Sequence, residues 1–232
     1  MNPNILLVED DPVSRAFLEA ATATLPATVA VAGDAASARA LANASAFDLW
    51  LIDAHLPDAT GAELLAQLRG MGFATPALAH TATRDEDAHA ELRAAGFAAV
   101  VAKPIDAAAW QAALRRALRM DAGMHVADAA IAGYGDRPLW DDATALAALN
   151  GNREHVAALR RLFLDELPGM RARIVDPETR GPTLHRLRAS CGFVGAARLD
   201  AAVRALQESA LDAALQRVLD ALRDTLAQPP SR

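Results

Sequence analysis

The stretch Asp48-Leu49-Trp50-Leu51-Ile52-Asp53-Ala54-His55-Leu56-Pro57-Asp58 decides how the first half of the chain is read. Four consecutive apolar residues end on a carboxylate, and Pro57 and Gly61 turn the chain at once. A short apolar run bounded by turn residues reads as a strand buried on both faces, the pattern of a parallel sheet. Open sheets of this kind present their reactive groups beyond the carboxyl ends of their strands, and Asp53 falls there. The stretch alone leaves two readings of Asp53: a cap for the next helix, common at strand ends, or a reactive carboxylate.

Outward from this stretch the pattern repeats. Ile5-Leu6-Leu7-Val8 is a strand, followed by Pro12 in a first helical turn and by Val13, Ala16, Phe17, Ala20 and Thr24 on one face. Thr28-Val29-Ala30-Val31 precedes a helix over 34–43, and the Asp53 strand leads into a helix carrying Leu64, Leu65 and Leu68. Pro76-Ala77-Leu78-Ala79 precedes a helix over 84–95. Ala98-Ala99-Val100-Val101 precedes the last, with Trp110, Leu114, Ala117 and Leu118 on one face. Strand and helix alternating five times predict an α/β doubly wound five-stranded parallel sheet over residues 1–119.

Gly123, Gly133, Gly135 and Pro138 break the pattern, which predicts a linker over 120–138. Beyond it strand signals stop. Helix-period runs over 139–228, among them Val156, Leu159, Phe163, Leu167, Met170 and Ile174, predict an all-α antiparallel four-helix bundle, with 229–232 as a tail.

Composition narrows the function. Only 4% of residues are aromatic against 53% hydrophobic, so the core is built from Ala, Leu and Val and favours helices. No apolar run approaches the roughly 18–20 residues of a membrane span, so no membrane insertion is expected. The first residues, Met1-Asn2-Pro3-Asn4, lack the basic region of a signal peptide. With Cys191 as the single cysteine, a cytoplasmic location is expected. A net charge of -6 argues against a nucleic-acid surface. Of the 23 Lys and Arg residues, Lys103 alone is lysine.

The strand ends carry the chemistry. Glu9-Asp10-Asp11, Asp53, His80-Thr81 and Lys103-Pro104 should converge at one sheet edge. Several carboxylates in one place need counter-charge, and oxygen-only ligands suit a hard cation such as Mg²⁺. A carboxylate beside such an ion can act as nucleophile toward a phosphoryl group. Thr81 can donate a hydrogen bond to that group, and Lys103 can supply a point charge to one of its oxygens.

Residues 4–119 resemble a response-regulator receiver domain, on Leu7-Val8-Glu9-Asp10, Asp53 with Pro57 and Gly61, Thr81-Ala82, and Lys103-Pro104. The resemblance implies a flavodoxin-like fold with Asp53 as phospho-acceptor. It implies a Mg²⁺ site made by Glu9, Asp10, Asp53 and the His55 backbone carbonyl. Thr81 would be the switch hydroxyl and Lys103 the phosphoryl contact. The chain departs from the family at Val100, where an aromatic residue is usual.

Six histidines stand at 55, 80, 89, 125, 155 and 185. With no HExxH and no Cys–His pairing, a zinc site is not expected, and most of the six are expected to be solvated. His185 is set apart by its neighbours. Leu184, Leu187, Cys191 and Val194 form an apolar seam, which leaves His185, Arg188, Ala189 and Gly192 on an adjoining stripe that another protein's active site could approach. On these residues alone, His185 is either a half-buried bundle histidine or a functional one.

Residues 139–228 resemble a histidine-containing phosphotransfer domain. The resemblance rests on His185-x-Leu187-Arg188-x-Ser190 with Gly192, Gly195-Ala196 and Leu199, and on Phe163-Leu164-x-Glu166-Leu167-Pro168 for the preceding helix. It implies that His185 is a phospho-carrier, framed by Arg188 (where Lys is usual), Ala189 (where Gly is usual) and Gly192. The two resemblances together imply a two-component phosphorelay protein, a phosphoryl carrier without a kinase ATP site. A sensor histidine kinase and other receiver domains would be its partners. The alternative is a phosphorylation-controlled adaptor or phosphate sink.

Overall fold

The computed structural model describes residues 2–119, 138–208 and 212–230. Apart from Pro138, the expected linker lies outside the described residues, as does His125.

Five parallel strands, β1 (Asn4–Val8), β2 (Thr28–Ala32), β3 (Leu49–Asp53), β4 (Ala77–Thr81) and β5 (Ala99–Ala102), lie in the order β2-β1-β3-β4-β5. Between and after them run α1 (Pro12–Ala23), α2 (Ala35–Ala44), α3 (Gly61–Gly70), α4 (Glu86–Ala94) and α5 (Ala107–Arg119). This is the doubly wound sheet expected from the alternation of strand and helix. β3 is buried at every position, as its unbroken apolar run requires. Along each strand the side chains alternate between faces. Ile5, Leu7, Leu49, Leu51 and Leu78 pack under α1 and α5. Leu6, Val8, Trp50, Ile52 and Ala79 pack under α2 and α3.

Helix starts follow local chemistry. Asp11 caps α1 by accepting from the Ser14 N–H, with Pro12 in the first turn. Thr60 and Glu63 form a reciprocal capping box on α3. Asp85 caps α4 by accepting from the Asp87 N–H, so this helix starts later than the apolar spacing alone suggests.

The second half is helical, with α6 (Asp142–Ala148), α7 (Arg153–Val175), α8 (Pro177–Val194), α9 (Ala197–Glu208) and α10 (Asp212–Ala227). Four long helices make the bundle, and short α6 is an addition to the expected four. Pro168 lies inside α7 and Pro182 inside α8 without ending either helix. The seam Leu184, Leu187, Cys191 and Val194 is buried as expected. α1 also packs against α7 and α8, and one hydrophobic core runs from Phe17 and Trp110 through Phe163, Phe193 and Leu199. Among the described residues no helix is long and apolar enough to cross a membrane.

Candidate functional site

The register β3–β4–β5 pairs Asp53 with His80 and Thr81 with Ala102, so the strand ends converge as expected. Glu9, Asp53, His80, Thr81 and Lys103 are all buried there. The Lys103 ammonium donates to Asp53 Oδ2 at 2.6 Å and to Glu9 Oε2 at 2.9 Å. The other Asp53 oxygen, Oδ1, accepts from the His55 N–H at 2.9 Å. Asp53 caps no helix: Thr60 does that work for α3. Gly61 matters because the chain doubles back on the strand end, and a Cβ there would collide with the Asp53 carbonyl. Lys103 donates its backbone N–H to the Thr81 carbonyl, and Thr81 Oγ1 accepts from the Thr83 N–H.

Burial works against every charge in this pocket, and proximity decides which survive. For Asp53 burial is outweighed by Lys103, His80 and the hydrogen bonds from Lys103 and the His55 N–H, which hold its carboxyl at about 2. Burial pushes Glu9 well above the usual carboxylate range, although Lys103 opposes the shift. Burial would lower Lys103, but Asp53 and Glu9 keep it protonated.

His80 corrects the expectation that most histidines are solvated, and so does His89, which is also buried. The His80 ring is fully enclosed, edge-on to Trp110 at 5.8 Å, with Nδ1 3.5 Å from Glu9 Oε2 and 3.8 Å from Asp53 Oδ2. Burial, and then the Lys103 charge, bring it down to about 3, so it is neutral at pH 7.

Asp10 is less engaged with this core. Its carboxylate faces Arg186 of α8 at 3.4 Å, and burial raises it from the ordinary aspartate value. Glu9 and Asp53 share Lys103 while Asp10 and Asp11 face Arg186, so four carboxylates meet two cations at the sheet edge, and among the described residues Asp11 Oδ2 has no hydrogen-bond partner. An all-oxygen donor set short of positive charge fits a hard divalent cation.

The expected open patch around His185 is instead covered by the chain's own sheet edge. The His185 and His55 rings lie 4.4 Å apart, tilted by 52°. One donor atom each from Asp53, His55 and His185 lie within 4.8 Å of one another. Among the described residues, His185 Nε2 is buried without a hydrogen-bond partner. Burial first, and then the neighbouring His55, bring His185 down to about 4, so its ring is neutral at pH 7. Around it, Ser190 Oγ donates to Asp11 Oδ1 at 2.8 Å, and Phe193 stacks on Phe17 at 4.1 Å. Gly192 lies against Pro104, where a Cβ would overlap the proline ring. Ala189 is buried within the bundle, and Arg188 reaches Gln207 at 3.3 Å. Sequence reading missed Arg186, Phe193 and the role of Ser190, because contacts across 175 or more residues leave no periodic signal.

The response regulator receiver domain family matches residues 5–130. Sensor histidine kinase AruS of Pseudomonas aeruginosa is 33% identical over 219 residues, which is 90% of this chain and 21% of that protein. Regulator of RpoS of Escherichia coli is 34% identical over 101 residues, 44% of this chain and 30% of that protein. The chain therefore spans well under half the length of these two relatives. Among solved structures, a signal receiver domain from Vibrio parahaemolyticus matches with a TM-score of 0.50 at 22% identity, covering 52% of this chain and 92% of that one, a likeness of fold. A buried Asp–Lys pair at the edge of a β2-β1-β3-β4-β5 parallel sheet and a family match over residues 5–130 lead to one assignment: the chain belongs to the response regulator receiver domain family.

Proposed function

We propose that this chain is a two-component phosphorelay protein in which a phosphoryl group passes between Asp53 and His185. The observation that carries this reading is their proximity: a nitrogen of His185 within 4.8 Å of a carboxylate oxygen of Asp53. A bond of about 1.7 Å on one side of phosphorus and an attack distance of roughly 3–3.5 Å on the other span about 5 Å. The alignment with sensor histidine kinase AruS, which takes in 90% of this chain, supports reading both halves as one signalling module.

In the proposed sequence, an ionised Asp53 oxygen attacks the phosphorus of a kinase partner's phosphohistidine. The N–P bond breaks and an acyl phosphate forms. Lys103 neutralises one phosphoryl oxygen, and Thr81 is the hydroxyl available to another. His185, neutral at pH 7, then offers a ring lone pair to phosphorus, and the acyl oxygen leaves as the restored carboxylate. Glu9, Asp10, Asp53 and the His55 carbonyl are the residues that would hold Mg²⁺. Bound there, the ion supplies charge neutralisation for the phosphoryl oxygens. On this reading the protein is a carrier, not a kinase, and its partners are a sensor histidine kinase and other receiver domains.

Chemical stability of the label tests the assignment. With the full chain loaded from a phosphohistidine donor, Asp53→Asn should remove all label. His185→Gln should leave only base-labile acyl phosphate, whereas the wild type also carries acid-labile phosphohistidine. A wild type without phosphohistidine would favour the adaptor reading, in which the helical half docks on the sheet edge through Ser190 and Arg186 without accepting the group.

A further inference from the structure

We infer that Asp53, His55 and His185 form a site for a divalent transition-metal ion of the Zn²⁺ class, one that exists only while the helical half is seated on the sheet edge. Two imidazoles and one carboxylate come together from β3, the loop after it, and α8. This is the mixed nitrogen and oxygen donor set that Zn²⁺ and its neighbours prefer, whereas Mg²⁺ prefers oxygen alone. His185 Nε2 supplies the second, independent observation. It is buried at this junction and makes no hydrogen bond among the described residues. An uncompensated ring nitrogen in such a place carries a desolvation cost that a metal bond would offset.

The spacing is close to what an ion needs. Bonds of about 2.0–2.1 Å in tetrahedral geometry put donor atoms roughly 3.3 Å apart. The three donors lie within 4.8 Å of one another, and the His55 side is exposed. The same exposure gives an ion a way in and leaves a coordination position open to water. The sequence carries no sign of such a site, because 130 positions separate His55 from His185.

The neighbouring group Glu9, Asp53 and His80 is also within 4.8 Å, but it is a different case. All three are enclosed, and the Lys103 ammonium already lies 2.6 and 2.9 Å from the two carboxylates. Two of its three members already share that cation, against Asp53 alone in the group with His55 and His185.

An ion on Asp53 and His185 would occupy the oxygen and the nitrogen between which the phosphoryl group is proposed to move. Metal occupancy and transfer would then exclude each other, and the ion would lock the chain closed. That consequence rests on the relay reading; the binding itself does not.

Co²⁺ alone, titrated into the full chain without other divalent cations, tests the site directly. The expected result is one equivalent bound, with the intense visible bands of four- or five-coordinate cobalt, and displacement of cobalt by Zn²⁺. His55→Ala and His185→Ala should each weaken binding by at least about tenfold and bleach the bands, while His89→Ala and His155→Ala should change neither. His55 is exposed, so its variant keeps the test decisive if the His185 variant fails to fold. Absence of the bands overturns the proposal. Binding that survives His55→Ala, or that is lost only with His80→Gln, overturns it as well.

Discussion

Lys103 stands between two buried carboxylates, and its chemistry explains why it escaped the chain's preference for arginine. A compact ammonium reaches Asp53 at 2.6 Å and Glu9 at 2.9 Å from a single atom, a point charge that the broader guanidinium fork does not reproduce. Removing one partner of a buried ion pair leaves the others uncompensated and costs about 3–5 kcal/mol. Lys103→Met is therefore expected to lower stability in urea by about that amount; an unchanged midpoint would contradict the buried geometry. His80 adds a dependence on pH. Its ring titrates near 6.5 when unfolded and at about 3 when folded. Between these values the unfolded chain binds the extra proton, so stability falls as pH drops from 6.5 toward 3. The His80→Gln protein should lose less stability than the wild type across that window in parallel urea titrations. Equal losses would mean that the ring is not held neutral.

At the scale of elements, much of this molecule was legible from the chain alone, for identifiable reasons. Runs such as Leu49–Ile52 are bounded by turn residues and buried on both faces, so the five strands and the converging acids could be read from local pattern. The seam of α8 was legible for the same reason. What faces α8 was not. Gly192 read as part of a stripe open to another protein, and Ser190 and Phe193 carried no signal of a partner in the first half, yet the three meet Pro104, Asp11 and Phe17. Nothing periodic encodes such pairings. Gly192 separates the two levels in one experiment. In a free helix, Gly→Ala gains about 1 kcal/mol. Here the added methyl overlaps Pro104, and overpacking typically costs about 1–3 kcal/mol. Gly192→Ala should therefore destabilise the full chain on balance in urea unfolding. A stabilised protein would contradict the close approach of α8 to Pro104.

Across the whole molecule, the continuous core through Phe17 and Phe193 makes the two halves one packed unit in this arrangement, with His185 over Asp53. That packing turns the relay into a claim about molecularity. If the two residues exchange a phosphoryl group inside one chain, the neighbouring site acts at an effective concentration far above that of any second molecule. The direct measurement is the rate at which acid-labile phosphohistidine appears after Asp53 is loaded, followed over about a 100-fold range of protein concentration. It is repeated with an equimolar mixture of the Asp53→Asn and His185→Gln chains. Transfer within the chain predicts a wild-type rate independent of concentration, and a mixture slower by at least roughly tenfold. A rate that rises in proportion to protein concentration, with the mixture matching the wild type, would contradict it.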